Sequence, residues 1–248
     1  MSAINVVAED VQLDAPTVVE GLPGLGLVGK IATDHLVDTF DMTYYAGFDC
    51  EGLPRISVYS GDDRTLRPPV RLYADEQRDL VALVSDVPVS AEAAPQFASC
   101  TVQWMQDNDA TPLFLSGLPH QKEADQVPEL YGVATGEGGD LLDDQDVGVP
   151  PEAGAIGGPT GALLNRAARD DLDAVGLIVQ SDPQFPDPEA ARALIKNGIA
   201  PVGGFDVDTD ELVERAEEIR EQKERLAQRM QQVETKESSQ AQPLRMYQ

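Results

Sequence analysis

The chain has 248 residues, with 44 Asp and Glu against 18 Lys and Arg, for a formal net charge of -26. A surface of that sign repels phosphate backbones and anionic lipid, so the composition argues against nucleic acid and membrane partners. A hydrophobic content of 42% is ordinary for a globular protein and leaves enough material for a sizeable core.

In chain order, the first predicted element is a short strand, Thr17-Val18-Val19. A glycine-rich turn follows, Gly21-Leu22-Pro23-Gly24-Leu25-Gly26-Leu27-Val28-Gly29-Lys30, and then a helix over Ile31 to Phe40. Further near-continuous apolar runs predict buried strands at Leu80 to Val84, Pro112 to Leu115 and Ala174 to Val179. Helices are expected at Ala91 to Asp107, Ala162 to Asp170 and Pro188 to Asn197. Arg55 to Tyr59, Arg71 to Ala74 and Tyr131 to Ala134 are weaker strand candidates. This alternation predicts an α/β fold: a three-layer sandwich with a largely parallel sheet, occupying residues 1–204. Glu137 to Gly158, rich in Gly, Asp and Pro, reads as a long surface loop.

Two segments follow the sandwich. Asp208-x-x-Glu211 has the character of a capping box and opens a helix reaching Val233, within a segment 205–233. Leu212, Ala216, Ile219, Leu226, Met230 and Val233, with Lys223 as a polar interruption, step by fours and threes as an a/d heptad seam does. That narrow seam points to self-association; a helix folded back on its own domain is the alternative. The segment 234–248 is polar until Pro243, and cannot bury enough to fold alone. It ends in Met246-Tyr247-Gln248, an apolar residue, a tyrosine and a free carboxylate beyond a solvated spacer.

Several internal motifs allow more than one chemistry. Gly24-x-Gly26-x-x-Gly29 matches the dinucleotide fingerprint after a strand and before a helix, with Asp49 about twenty residues on. A phosphate or nucleotide turn is therefore one reading, and a tight turn packed against the sheet is the other. Gly157-Gly158-Pro159-Thr160-Gly161 is a second such turn, where Thr160 is a candidate cap. Ser85 and Ser116 end apolar strands without an identifiable histidine partner, and no catalytic set is assigned. No metal-ligand spacing is present. Cys50 and Cys100 form no short-spaced motif and read as small buried hydrophobes of a reducing cytosol. No signal-like or membrane-spanning segment is apparent, so a cytoplasmic location is expected.

The block from Gly21 to Leu36 resembles the opening of archaeal members of the proteasome assembly chaperone family. Gly157 to Leu164 and Pro186 to Ala191 are similar to later segments of that family. The resemblance implies a sandwich related in shape to nucleoside phosphorylases, with no enzymatic chemistry and no cofactor. The terminus Met246-Tyr247-Gln248 resembles the hydrophobic-Tyr-any motif with which proteasome activators dock between subunits of the outer ring. By that resemblance these three residues would bind the core proteasome α-ring, and the chain would be a homo-oligomer, either a tetramer, a pentamer or a trimer. The even carpet of carboxylates resembles the proteins of salt-loving archaea, in which molar salt screens self-repulsion.

Overall fold

The computed structural model describes residues 4–59, 64–121, 126–184, 186–212 and 214. Eight strands form one sheet in the order β1-β3-β4-β5-β2-β6-β8-β7. They are β1 (Ile4–Val6), β2 (Thr17–Gly21), β3 (Thr43–Phe48), β4 (Val70–Asp75), β5 (Leu80–Ser85), β6 (Thr111–Pro119), β7 (Leu130–Thr135) and β8 (Ala174–Ser181). The helices are α1 (Val28–Thr39), α2 (Ala94–Asp107), α3 (Gly138–Asp143), α4 (Gly158–Arg169), α5 (Pro188–Leu194) and α6 (Ala200–Gly203), with a π-helical turn, Ile195–Ile199, joining the last two.

The sheet is mixed, which corrects the expectation of a largely parallel one. Only β5, β2, β6 and β8 run parallel, as the block at its centre. β4, β3 and β1 extend one side, and β7 the other, through antiparallel pairings. Connection length explains the difference. β4 and β5 are joined by the four residues Glu76 to Asp79, too few for the crossover that parallel strands need. Arg55 to Tyr59 is not a strand; it carries a single bridge, Val58 to Arg67.

The central strands are buried on both faces because helices cover both. Along β5, Leu80, Ala82 and Val84 face one core while Val81 and Leu83 face the other. The first core lies under α1, α3 and α5; Val28, Ala32 and Leu36 supply its α1 stripe at four-residue spacing. The second lies under α2 and α4, where Phe97, Ala98, Val102 and Met105 form the α2 stripe. Full burial of a side chain such as Phe97 contributes about 2–3 kcal/mol. Proline occupies the first turns of α2, α4 and α5, where the missing N–H costs no hydrogen bond.

The predicted loop from Glu137 to Gly158 contains α3, whose Leu142 is buried under the sheet. The two cysteines are not independent thiols. Cys50, just past β3, and Cys100, on α2, form a disulfide with a Cα–Cα separation of 6.6 Å. Their spacing of 50 residues hid a contact that only the packing of α2 beneath the β3 end creates. Among the described residues, no helix is long and apolar enough to cross a membrane.

Helical residues resume at 210, where Asp208 Oδ1 accepts the Asp210 N–H at 2.9 Å, and most of the expected helix lies outside the described residues. Leu212 is fully buried in the domain's own core. It is therefore not free to form an oligomer seam. Ala216, Ile219, Leu226, Met230, Val233 and the terminus lie outside the described residues.

Candidate functional site

Strand ends at the centre of an α/β sheet are where ligand crevices form, and the glycine-rich turn sits there. β2 ends at Gly21, Leu25 to Leu27 form a short 3-10 turn, and α1 starts at Val28. Gly26 is left-handed at φ 62°, and a side chain there would run into Ser181 Oγ at the end of β8. Its carbonyl accepts the Asp187 N–H at 2.8 Å. On β6, a Cβ at Gly117 would lie 2.7 Å from the Leu25 carbonyl. The turn is thus pressed down onto the ends of β6 and β8.

The remaining glycines bring α1 close to the sheet. A Cβ on Gly21 would come within 2.5 Å of Thr33, and one on Gly29 within 3.3 Å of the Glu20 carbonyl and Leu115. Gly24 has open space around it. Lys30, which a phosphate turn would aim at its ligand, instead bonds Asp34 at 2.9 Å and lies 4.0 Å from Asp86. Asp49, the candidate ribose acid, follows β3, which is three strands from β2, roughly 14 Å along the sheet. The structure therefore does not bring Gly24, Gly26, Gly29 and Asp49 together as a dinucleotide site.

Beneath the turn lies a residue that sequence reasoning missed. Glu20 interrupts the apolar run of β2 and is only 1% exposed. Its carboxyl accepts the Leu115 N–H at 2.9 Å, the Thr160 hydroxyl at 3.0 Å and the Leu22 N–H at 3.3 Å. Burial pushes its pKa up to about 8, although those three bonds pull it down. At neutral pH the group is mostly the neutral acid, able to donate its own proton to the Thr160 hydroxyl. Thr160 does not cap α4; it is the third residue of that helix and its side chain serves Glu20. The pair joins β2 to α4 across 140 residues of sequence. The available signal was a lone glutamate closing the β-branched run Thr17-Val18-Val19.

Other polar groups nearby are also committed to structure. Asp187 Oδ1 accepts the Ala190 N–H at 3.0 Å, capping α5, and Oδ2 accepts the Asp182 N–H at 2.9 Å. Ser85 Oγ donates to the Val87 carbonyl at 2.6 Å. His35, buried on α1, faces the Asp208 carbonyl at 2.6 Å. A carbonyl only accepts, so Nε2 carries the proton. Among the described residues there is no group of three or more His, Cys, Asp or Glu placed to hold a metal ion.

A separate cleft of about 710 Å³ runs along the edge strand β7. Pro128 to Tyr131, Gln145 to Gly148, Lys196, Asn197 and Pro201 line it. No motif in the sequence marked it.

Fold and site together define an α/β sandwich protein whose strand-end crevice is filled by its own glycine turn. The chain belongs to the PAC2 family, which it matches over residues 18–227. Its relatives include the uncharacterised protein MJ0106 of Methanocaldococcus jannaschii, 28% identical over 88% of this chain and 87% of that one. Among solved structures, it is similar to Pyrococcus furiosus PbaA, an archaeal homologue of proteasome-assembly chaperone, with a TM-score of 0.78 and 26% identity over 96% of this chain and 97% of the other. It shares its fold with Pyrococcus furiosus PbaB, an archaeal proteasome activator, with a TM-score of 0.74 and 24% identity over 92% of this chain and 100% of the other.

Proposed function

We propose that this chain is a non-enzymatic, homo-oligomeric partner of the core proteasome, acting as an assembly chaperone, an ATP-independent activator or both. The observation that carries this reading is the likeness to Pyrococcus furiosus PbaA along nearly the whole of both chains. The terminus Met246-Tyr247-Gln248 supplies the mechanism. The Gln248 carboxylate pairs with a lysine lining a pocket between α-ring subunits. Tyr247 buries its ring and bonds through its hydroxyl, and Met246 fills an apolar recess. One such tail binds weakly, and several tails on one oligomer gain avidity when their spacing matches the ring. Closure of the strand-end crevice supports the non-enzymatic part of the reading.

The acidity favours a cytoplasm of high salt, as in haloarchaea, with the segment 1–204 as the body, 205–233 as the connecting helix and 234–248 as the docking tail. The test is capture of core proteasome in high salt by intact protein and by protein lacking Met246 to Gln248, with peptide hydrolysis read in parallel. The truncated protein is expected to lose capture while keeping its oligomeric mass. Capture at full strength without the tail would end the docking mechanism.

A further inference from the structure

His35 is a buried polar group of α1 that the glycine turn does not account for. It is 2% exposed and stands next to Leu36, in the apolar stripe of the helix. A leucine would bury there as well. What the imidazole adds is direction. Its Nε2–H reaches one carbonyl, that of Asp208, at 2.6 Å and across 173 residues of sequence. The Thr39 hydroxyl lies 3.4 Å from the same nitrogen. Nδ1 is buried with no partner among the described residues, so the ring is held through its Nε2 side.

The segment that His35 holds is 205–212. α6 ends at Gly204, whose φ of 70° turns the chain back, and the Phe205 N–H bonds the Ala200 carbonyl at 3.1 Å. A Cβ on Gly203 would lie 2.5 Å from the Phe205 ring, so this glycine lets the ring fold down. Phe205 meets Phe40 edge to face at 5.6 Å, at the C-terminal end of α1. Asp208 meets His35, which lies earlier on that helix. The segment therefore runs back along α1 as a strap. Val207 packs on the same core, Thr209 is buried, and Leu212 is fully buried.

Two of these contacts fix a direction. The Asp208 carbonyl is pinned to α1, while Asp208 Oδ1 accepts the Asp210 N–H at 2.9 Å where the helical turn starts. Further along, Leu212 is inserted into the core, and its N–H bonds the Thr209 carbonyl at 3.1 Å. Two fixed points about one turn apart set the axis on which that turn lies. Apolar packing alone tolerates sliding and rotation. A buried hydrogen bond to one carbonyl selects a single register.

We infer that His35 is a positioning residue for proteasome docking: it holds the strap so that the C-terminal segment of each copy leaves the sandwich in one direction. The inference rests on the tail-docking reading and adds to it a control at the root of the segment. His35 acts through the strap. A fixed root narrows the volume sampled by everything beyond it. That raises the effective concentration of a second tail at its pocket once the first is bound, and lowers the ordering cost of each.

The test uses the full chain in high salt, with amide hydrogen exchange, light-scattering mass and capture of core proteasome measured on each variant. His35→Leu keeps an apolar side chain in the core and removes the bond. Exchange at Asp210 and Leu212 is expected to quicken roughly tenfold, as the loss of one hydrogen bond loosens the strap locally. Capture should weaken about tenfold or more at unchanged mass. His35→Gln carries an N–H at similar reach and should restore both, which a space-filling role for His35 would not produce. Phe205→Ala loosens the strap from its other end with the imidazole in place. It should weaken capture in the same way, which keeps the test decisive if His35→Leu does not fold. Quickened exchange with capture unchanged, unaltered exchange in His35→Leu, or no recovery in His35→Gln overturns the inference. Deleting Met246 to Gln248 reads the docking mechanism separately: capture that survives the deletion ends that mechanism, whereas exchange in the strap does not depend on it.

Discussion

The strand-end turn and the β3–β4 connection are two connections of the same sheet with opposite fates. The turn from Leu22 to Leu27 has glycines in a recognisable pattern and is compressed until Glu20 and Ser181 beneath it are sealed from water. The β3–β4 connection has no pattern, yet it holds Tyr59 at 79% exposure. A glycine pattern records how closely two backbones approach, and says nothing by itself about what they approach. In this chain they approach each other.

The comparison predicts that substitutions in the turn act on stability and those at the exposed residues Ile56, Tyr59 and Leu66 do not. The largest effect is expected for Gly26→Val. It places a β-branched residue at φ 62° and drives it into Ser181, costing roughly 4–5 kcal/mol of folding stability. Denaturant unfolding in high salt measures it; a loss below 1 kcal/mol would mean that the turn is looser than described.

Next comes Cys50→Ser/Cys100→Ser, which releases the start of the β3–β4 connection from α2. For a closed loop of 50 residues, the chain-entropy estimate is about 4 kcal/mol. Thermal unfolding with and without reductant checks it, and an unaltered midpoint would show that the cross-link does not constrain the unfolded chain.

An effect spread over pH, small within any one pH unit, is expected from Glu20. Its folded pKa of about 8 lies above the ordinary value of 4.5, so the folded state holds a proton that the unfolded chain has released. Stability from this group is complete below pH 4.5 and falls by about 1.4 kcal/mol per pH unit up to about 8, then levels off. Glu20→Gln fixes the group neutral at every pH but keeps one acceptor oxygen, so it loses one of the two bonds from the Leu22 and Leu115 N–H groups, which reach different oxygens. Its stability relative to the parent should rise between pH 5 and 8. Parallel pH profiles for the two proteins would refute the buried neutral acid.

The central strands were legible because both faces are covered: β2, β5, β6 and β8 each contain an apolar run. β3 was not, since Thr43-Tyr44-Tyr45-Ala46-Gly47-Phe48 mixes aromatics with small residues that fit the sheet only by pairing with β1 and β4. β1 is three residues long and offers no period to detect. The short Glu76–Asp79 connection did encode an antiparallel pair, and that signal was available. Of the site, the position of the turn was visible and its crowding was not. Gly26 meets Ser181 and Gly117 meets Leu25 across long stretches of sequence. The bond from Thr160 to Glu20 is likewise non-local, so spacing along the chain could not reveal it.

The bond between His35 and the Asp208 carbonyl, with Leu212 buried in the core that α1 also lines, has a mechanical consequence. Tension applied to the chain beyond residue 212 does not peel an edge strand from the sheet. It is received first by α1, the helix that also carries the glycine turn. Load entering there is spread in shear across the α1–sheet contact, which resists force better than a hairpin opened one bond at a time.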